Sequence, residues 1–306
     1  MNLSNYLKMK EAFSIYLQAK GFTHKSIQSM LVIFHQYHQW VDREHLALTE
    51  VRYHDLLLFM SHCQKTGKAQ RTIGHYLTTI RHFYDHLISA SVITTNPATG
   101  IKVKGIRKKV LYHILSSHER HQLYNSYEAS MARQRRDKVI LGLLVYQGVR
   151  TEELAKLETG HIHLREGKIE IPGGRKSNGR TLPLEPHQIM DLYDYVLNVR
   201  NELMRMPPKR KVQSTTTEQL FIGAGGHCSS MSNFIHPLMI TLRAQNRHVH
   251  NAKQLRASVL TKWLKQHNLR EAQYQAGLRY ISSTESYLQN DLEGLQEEIQ
   301  QYHPLG

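Results

Sequence analysis

Residues 168–186, KIEIPGGRKSNGRTLPLEP, alternate apolar and polar side chains on both sides of a turn-rich loop. That is the period-2 signature of an antiparallel hairpin, and it is the clearest β signal in the chain. A lone hairpin is at best marginally stable in water and needs helices to pack on. The chain is therefore confined to a mainly α fold carrying a small antiparallel β-sheet. The flanking sequence supplies the helices. ILSSHERHQLYNSYEA begins with Ser116 or Ser117 as a cap, and Val139 to Tyr146 is nearly all apolar. Gly148 marks a turn, after which Thr151 is the expected cap of a helix with Glu152 and Glu153 in its first turn, where carboxylates suit the helix dipole. HQIMDLYDYVLNVRNELMRM, NFIHPLMITLRAQNR and the stretch from Asn251 onward return to helical period, with a short strand expected at Leu220 to Ile222.

Residues 1–98 contain no β signal and read as a compact module of four helices. The first closes on Gly21, the second starts at an N-cap Thr23, the third is expected to start at Thr49, and the fourth carries Ile73, Tyr76, Leu77, Ile80, Phe83 and Leu87 on one stripe. Lys65, Lys68, Arg71 and His75 gather where the fourth helix begins, as phosphate contacts or as a solvated helix end. Around residues 99–112 the pattern breaks. Pro97, Gly100 and Gly105 are followed or interleaved by Lys102, Lys104, Arg107, Lys108 and Lys109, which reads as an extended basic linker or an ordinary hinge. The expected division is a helical domain at 1–98, the linker at 99–112, and an α+β domain at 113–306 whose tail begins near 288.

The net charge of +15 and isoelectric point near 9.7 favour a polyanionic partner through attraction and counterion release. No apolar run approaches the length of a membrane span, and the N-terminus lacks a signal-peptide core. Cys63 and Cys228 lie far apart at no metal or redox spacing, so a reducing cytoplasm is the simplest setting. His161-x-His163 and His248-x-His250 have a spacing that can ligate metal on a strand, but no Cys or carboxylate stands at matching spacing, and no metal is expected.

A basic two-domain chain that rearranges DNA without a metal needs particular groups. Negative charge builds on the non-bridging oxygens of a phosphodiester under attack, and arginine forks can clamp it. A tyrosine hydroxyl can attack and store the bond energy in a covalent phosphoenzyme. A cationic acid must protonate the leaving 5′-oxygen. The chain offers Arg150 in GVRTEEL, Arg175 and Lys176 at the hairpin tip, Lys253 and Arg256 in KQLR, and Tyr287 in SSTESY. Each alone is weak, since a single arginine before a helix is usually a surface ion pair. Their order and local structure are much more specific.

On these residues the chain resembles the tyrosine recombinases of the phage-integrase type, over nearly its whole length. The resemblance implies a SAM-like helical core-binding domain followed by the catalytic domain. Arg150 sits in the first arginine motif, G-x-R followed by E-L; Lys176 matches the lysine between two strands; Arg256 matches the arginine of H-x-x-R; and GLRYISSTESY, Gly277 to Tyr287, matches L-G-H-x-x-x-x-T-x-x-Y, which makes Tyr287 the nucleophile. Ser282 with Glu285 reads as a capping box, putting Tyr287 in the opening turns of its helix. Two positions depart from the pattern. Lys253 stands where the family has histidine, and Leu278 stands where it has His or Trp. Leucine offers packing but no donor; Arg279 is one position on, out of register. Arg175 competes with Lys176 as leaving-group acid, and lysine gives up a proton far more readily.

The resemblance implies a site-specific recombinase or integrase of a prokaryotic cell or its mobile element, acting on double-stranded DNA through a 3′-phosphotyrosyl link and a Holliday junction. Arg150, Arg256 and Lys253 would stabilise the phosphorane and Lys176 would protonate the leaving oxygen, with no metal or nucleotide cofactor. The working assembly would be a homo-tetramer on two DNA sites. Leu288, Leu292, Leu295 and Ile299 give the tail an amphipathic face that would dock on a neighbouring protomer or pack in cis. The competing readings are a type IB topoisomerase and a catalytically impaired DNA-binding relative.

Overall fold

The computed structural model describes residues 3–105, 113–174, 177–207, 218–226 and 230–288. The chain forms two compact units, Met1–Lys109 and Val110–Gly306.

Unit 1 consists of α1 (Leu3–Ala19), α2 (His24–Arg43), α3 (Tyr53–Lys65) and α4 (Gln70–Ser89). Gly21, at a positive φ of 77°, lets the chain leave α1. Thr23 then caps α2, its Oγ1 accepting the Ser26 N–H at 3.3 Å. The third helix does not begin at Thr49. Its cap is Arg52, whose own N–H donates to the Asp55 carboxylate at 2.8 Å; a carboxylate three residues on satisfies the helix start better than the upstream hydroxyl. Phe13, Phe34, Tyr37, Phe83 and Tyr84 fill the core, with the Tyr37 and Tyr84 hydroxyls 2.7 Å apart. The first residues of the basic stretch also belong to this core: Ala98 and Ile101 are buried in it, and Arg81 donates to the Ile101 carbonyl at 3.1 Å.

Unit 2 is built around α6 (Ala132–Val145), whose residues Val139 to Val145 are buried all round. Preceding it is α5 (Ser117–Asn125), capped by Ser116 in a reciprocal box with Glu119. The Gly148 turn, φ 55°, leads into the single-turn α7 (Thr151–Leu154). Its cap is Arg150 rather than Thr151, because the Arg150 N–H donates to Glu153 Oε2 at 2.9 Å. The sheet has three antiparallel strands in the order β1 (Ile162–His163), β2 (Lys168–Ile171), β3 (Arg180–Pro183). The hairpin forms where the alternation places it; the two-residue β1 is too short to show a period. Pairing of Ile169 with Leu182 and of Ile171 with Arg180 turns these four side chains inward.

After the sheet come α8 (Pro186–Asp194), a π-helical turn at Tyr195–Val199, and α9 (Arg200–Arg205). No strand forms at Leu220 to Ile222. These residues are fully buried, and the Leu220 carbonyl is satisfied by Tyr195 Oη at 2.8 Å and Arg200 Nε at 3.1 Å instead of a neighbouring strand. The one extended pairing nearby, among the described residues, is an isolated bridge between Glu158 and Gln219. The unit continues with α10 (Ser232–Gln245), α11 (Ala252–Gln266) capped by Asn251, α12 (Leu269–Gln275), and a helix at 281–288, labelled α13. Ser282 lies inside α13 and does not cap it. Among the described residues no helix is long and apolar enough to cross a membrane.

Candidate active site

Three segments of unit 2 meet at one buried carboxylate. Glu153, in α7, is 3% exposed, and both its oxygens accept from Arg180 of β3, Nη1 to Oε1 and Nη2 to Oε2, each at 3.0 Å. Oε2 also accepts the Arg150 N–H and lies 3.9 Å from Arg256 Nη1. Burial alone would raise the Glu153 pKa, but hydrogen bonds and charge from Arg180, the Arg150 N–H and the Arg256 cation outweigh it and hold the carboxyl below its ordinary value. Glu153 is thus a fixed anion around which three arginines are arranged.

Arg256 projects from the second turn of α11 into this cluster. Its guanidinium donates to the Gly148 carbonyl and, at 2.6 Å, to the Ala276 carbonyl. One side chain therefore ties the turn that carries Arg150 to the turn that precedes the Tyr287 helix. Burial first, and then the charge of Arg150, pull its pKa down to about 10, with Glu153 and Tyr287 pulling the other way. It stays a cation at neutral pH, in electrostatic reach of both Arg150 and Tyr287. Fixed donors in a water-poor site cost nothing to reorganise when charge develops.

Tyr287 is half-buried in the second turn of α13, and packs with Leu260, Ala276, Leu278 and Trp263. Leu278, 6% exposed, is a member of the same cluster and supplies packing beneath the tyrosine helix. Arg279 is exposed and directed elsewhere: its Nη2 donates to the Gly174 carbonyl at 3.0 Å. Lys253 is exposed in the first turn of α11. Arg175 and Lys176 lie outside the described residues, but the loop that carries them is anchored at its base. Asn178 N–H donates to the Gly277 carbonyl at 3.1 Å, Arg279 holds Gly174, and Lys156 Nζ reaches the Gly173 carbonyl at 3.5 Å. Gly277, at φ 61°, fits here because a Cβ would overlap the Arg180 guanidinium.

Of the basic residues with a spacing suited to DNA, Lys65, Arg71, His75, Lys102 and Lys104 are exposed on unit 1, and Lys68 is half-buried with its ammonium 5.4 Å from the Tyr76 ring centroid. Arg107, Lys108 and Lys109 lie outside the described residues, as does the tail beyond Leu288. His161 Nδ1 caps its own turn by accepting the Glu158 N–H.

The Glu153–Arg180 pair does not announce itself in the sequence. Glu153 reads there as a helix-dipole residue. Arg180 does leave a signal, because it has the same strand parity as Leu182, which puts a charge on the core-facing side of the hairpin.

Residues 113–293 match the phage integrase family, and residues 11–91 match the SAM-like N-terminal domain of phage integrases. The tyrosine recombinase XerC of Staphylococcus carnosus (strain TM300) is 25% identical over 206 residues, 64% of this chain and 68% of the relative. The XerC protein of Staphylococcus aureus (strain USA300 / TCH1516) is 25% identical over 192 residues, 63% of this chain, and the match spans only 61% of that protein's length. Among solved structures, the XerH site-specific recombinase bound to palindromic difH substrate superposes with a TM-score of 0.72 at 18% identity, over 93% of this chain and 82% of that one.

Proposed function

Since the chain belongs to the phage integrase family of tyrosine recombinases, enzymes of DNA strand breakage and rejoining, we propose that it is a site-specific DNA recombinase working through a 3′-phosphotyrosyl intermediate. The observation that carries this reading is the position of Arg256, bonded to the carbonyls on either side of the site and within electrostatic reach of Arg150 and Tyr287.

The Tyr287 hydroxyl gives up its proton to solvent as its oxygen attacks the scissile phosphorus, and the bond to the 5′-oxygen breaks, leaving the phosphate joined to Tyr287 and to the 3′-oxygen. Arg150 and Arg256, with help from Lys253, donate to the non-bridging oxygens as charge grows on them. Lys176 gives its proton to the departing 5′-oxygen. In the second half the 5′-hydroxyl of the partner strand attacks the phosphotyrosine and returns its proton to Lys176, and Tyr287 leaves and takes a proton from solvent. The phosphodiester energy is kept throughout, so no nucleotide need be consumed. One round of exchange makes a Holliday junction and a second resolves it. Four protomers on two sites supply the four tyrosines, and the segment after 288 docks on a neighbouring protomer.

The test is a supercoiled plasmid carrying two directly repeated copies of a site selected by binding from a randomised duplex pool. Wild type is expected to give two smaller circles, and Arg150→Ala and Arg256→Ala none. Relaxation of the plasmid without any recombinant circle would contradict recombination.

A further inference from the structure

A second convergence of polar side chains lies at the N-terminal end of α11, away from the Glu153 cluster. His113 Nε2 is 3.4 Å from Glu119 Oε1, and the His113 and His248 rings meet edge to face with centroids 4.6 Å apart. One ligand atom from each of His113, Glu119 and His248 lies within 4.8 Å of the others. The three come from different segments: the chain entering α5, the first turn of α5, and the turn before α11.

Their positions are fixed from below. Gln254, fully buried, donates its amide to the carbonyl of His113 at 2.8 Å and to that of His248 at 2.6 Å, while its oxygen accepts the His250 N–H at 2.6 Å. The second Glu119 oxygen accepts the Ser116 N–H at 2.7 Å in the α5 capping box, which leaves Oε1 turned toward His113. The His248-x-His250 spacing can ligate metal on a strand, but no Cys or carboxylate stands at matching spacing in the sequence. The partners that spacing lacked are brought in by Gln254 and by the α5 cap, from a part of the sequence far upstream.

We propose that His113, Glu119 and His248 bind a first-row divalent cation of the zinc type. Two imidazole nitrogens and a carboxylate oxygen are ligands such an ion takes, at about 2.0–2.2 Å, with tetrahedral ligand atoms about 3.3 Å apart. The His113–Glu119 pair already has this separation, and small side-chain rotations close the rest. With two imidazoles in three ligands, the set suits zinc, nickel or copper rather than magnesium or calcium. A fourth position is left for water. The side chains of His113 and Glu119 are 48% and 30% exposed, so the ion enters from solvent. Arg247 is exposed and donates Nε to His248 Nε2 at 3.3 Å; it swings out when the ion takes that nitrogen. The bound ion staples the start of unit 2 to the turn that feeds α11, the helix that carries Lys253 and Arg256.

The test uses the full chain, stripped of metal by a chelator and titrated with Co2+ as a visible-absorption probe. One tight equivalent with the strong bands of a low-coordinate site is expected. Zn2+ should displace it and raise Tm progressively with concentration. Affinity should fall at least about tenfold in His113→Ala and in His248→Ala, and stay unchanged in a His161→Ala/His163→Ala control. Binding of equal strength in the His113→Ala/His248→Ala double variant, or none by wild type, would overturn the proposal. Independently of any variant, Zn2+ should slow diethyl pyrocarbonate modification of His113 and His248 as mapped by mass spectrometry. Unchanged rates at both residues would also overturn it.

Discussion

Glu153 is the residue on which the arginine cluster depends. Replacing it with Gln leaves the Arg180 cation buried without a counter-ion, and removing one partner of such a pair typically costs about 3–5 kcal/mol. A loss of that size is expected for Glu153→Gln in urea unfolding at pH 7. The pH dependence has a definite sign. The folded pKa is held below the ordinary 4.5, so the stability it contributes is complete above that value and disappears as pH falls through the lower folded one. The stability gap between wild type and Glu153→Gln should therefore narrow on acidification below about pH 4.5. Leu278 is a second residue with a testable consequence. It packs beneath Tyr287 but cannot donate to a phosphate oxygen. If a donor is missing there, Leu278→His should speed cleavage by up to about 10²-fold, measured in single-turnover assays, while losing about 1–3 kcal/mol for placing a polar ring in an apolar cluster. An unchanged rate would mean the missing donor is not limiting. Both departures from the family pattern, Lys253 and Leu278, are legible in the sequence because they fall at motif positions. The Arg180 partnership is not, because only the strand register and the fold of α7 bring it to Glu153.

At the scale of elements, the β2–β3 loop and the 277–279 turn behave as one piece. Asn178 and Arg279 bridge them by hydrogen bonds, and the Arg180 guanidinium lies close against Gly277. Gly277→Ala adds a Cβ where the Arg180 guanidinium already stands and does so at positive φ. A loss of at least about 1 kcal/mol is expected, with a fall in cleavage rate larger than any fall in DNA affinity. Equal losses in both would mean the loop serves binding and not the chemistry. The hairpin and the main helices are readable from period and caps, as at Thr23 and Ser116. Helix starts are hidden where the cap comes from a carboxylate one turn ahead, at Arg52 and Arg150. Such a cap leaves no mark at the capping position itself. The strand expected at Leu220–Ile222 fails for a related reason: an apolar run shows burial but not who satisfies its backbone, here Tyr195 and Arg200.

For the whole molecule, the net charge of +15 and the proposed DNA partner together predict an affinity that falls steeply with salt. Neutralising one cation that touches a phosphate should flatten the slope of log affinity against log salt by about 0.9. If Lys65, Lys68 and Arg71 all touch phosphate, their triple replacement by Gln should lower the slope by about 2–3 without altering the unfolding of unit 2; an unchanged slope would make them a solvated helix end. The two-part organisation is visible in the switch from purely helical sequence to sequence with a hairpin. The packing of Ala98 and Ile101 on unit 1 is obscured by the surrounding glycines and lysines. On the proposed mechanism Tyr287 carries the DNA covalently between cleavage and rejoining. A nicked suicide duplex puts this step to the test, because the short cleaved fragment diffuses away and the intermediate is trapped. Wild type should give a protein–DNA adduct whose nucleotide maps by mass spectrometry to the Tyr287 peptide through a 3′-phosphate, and Tyr287→Phe should shift the same DNA without forming it. An adduct that survives Tyr287→Phe, or no adduct from wild type that saturates the duplex, would contradict the claim.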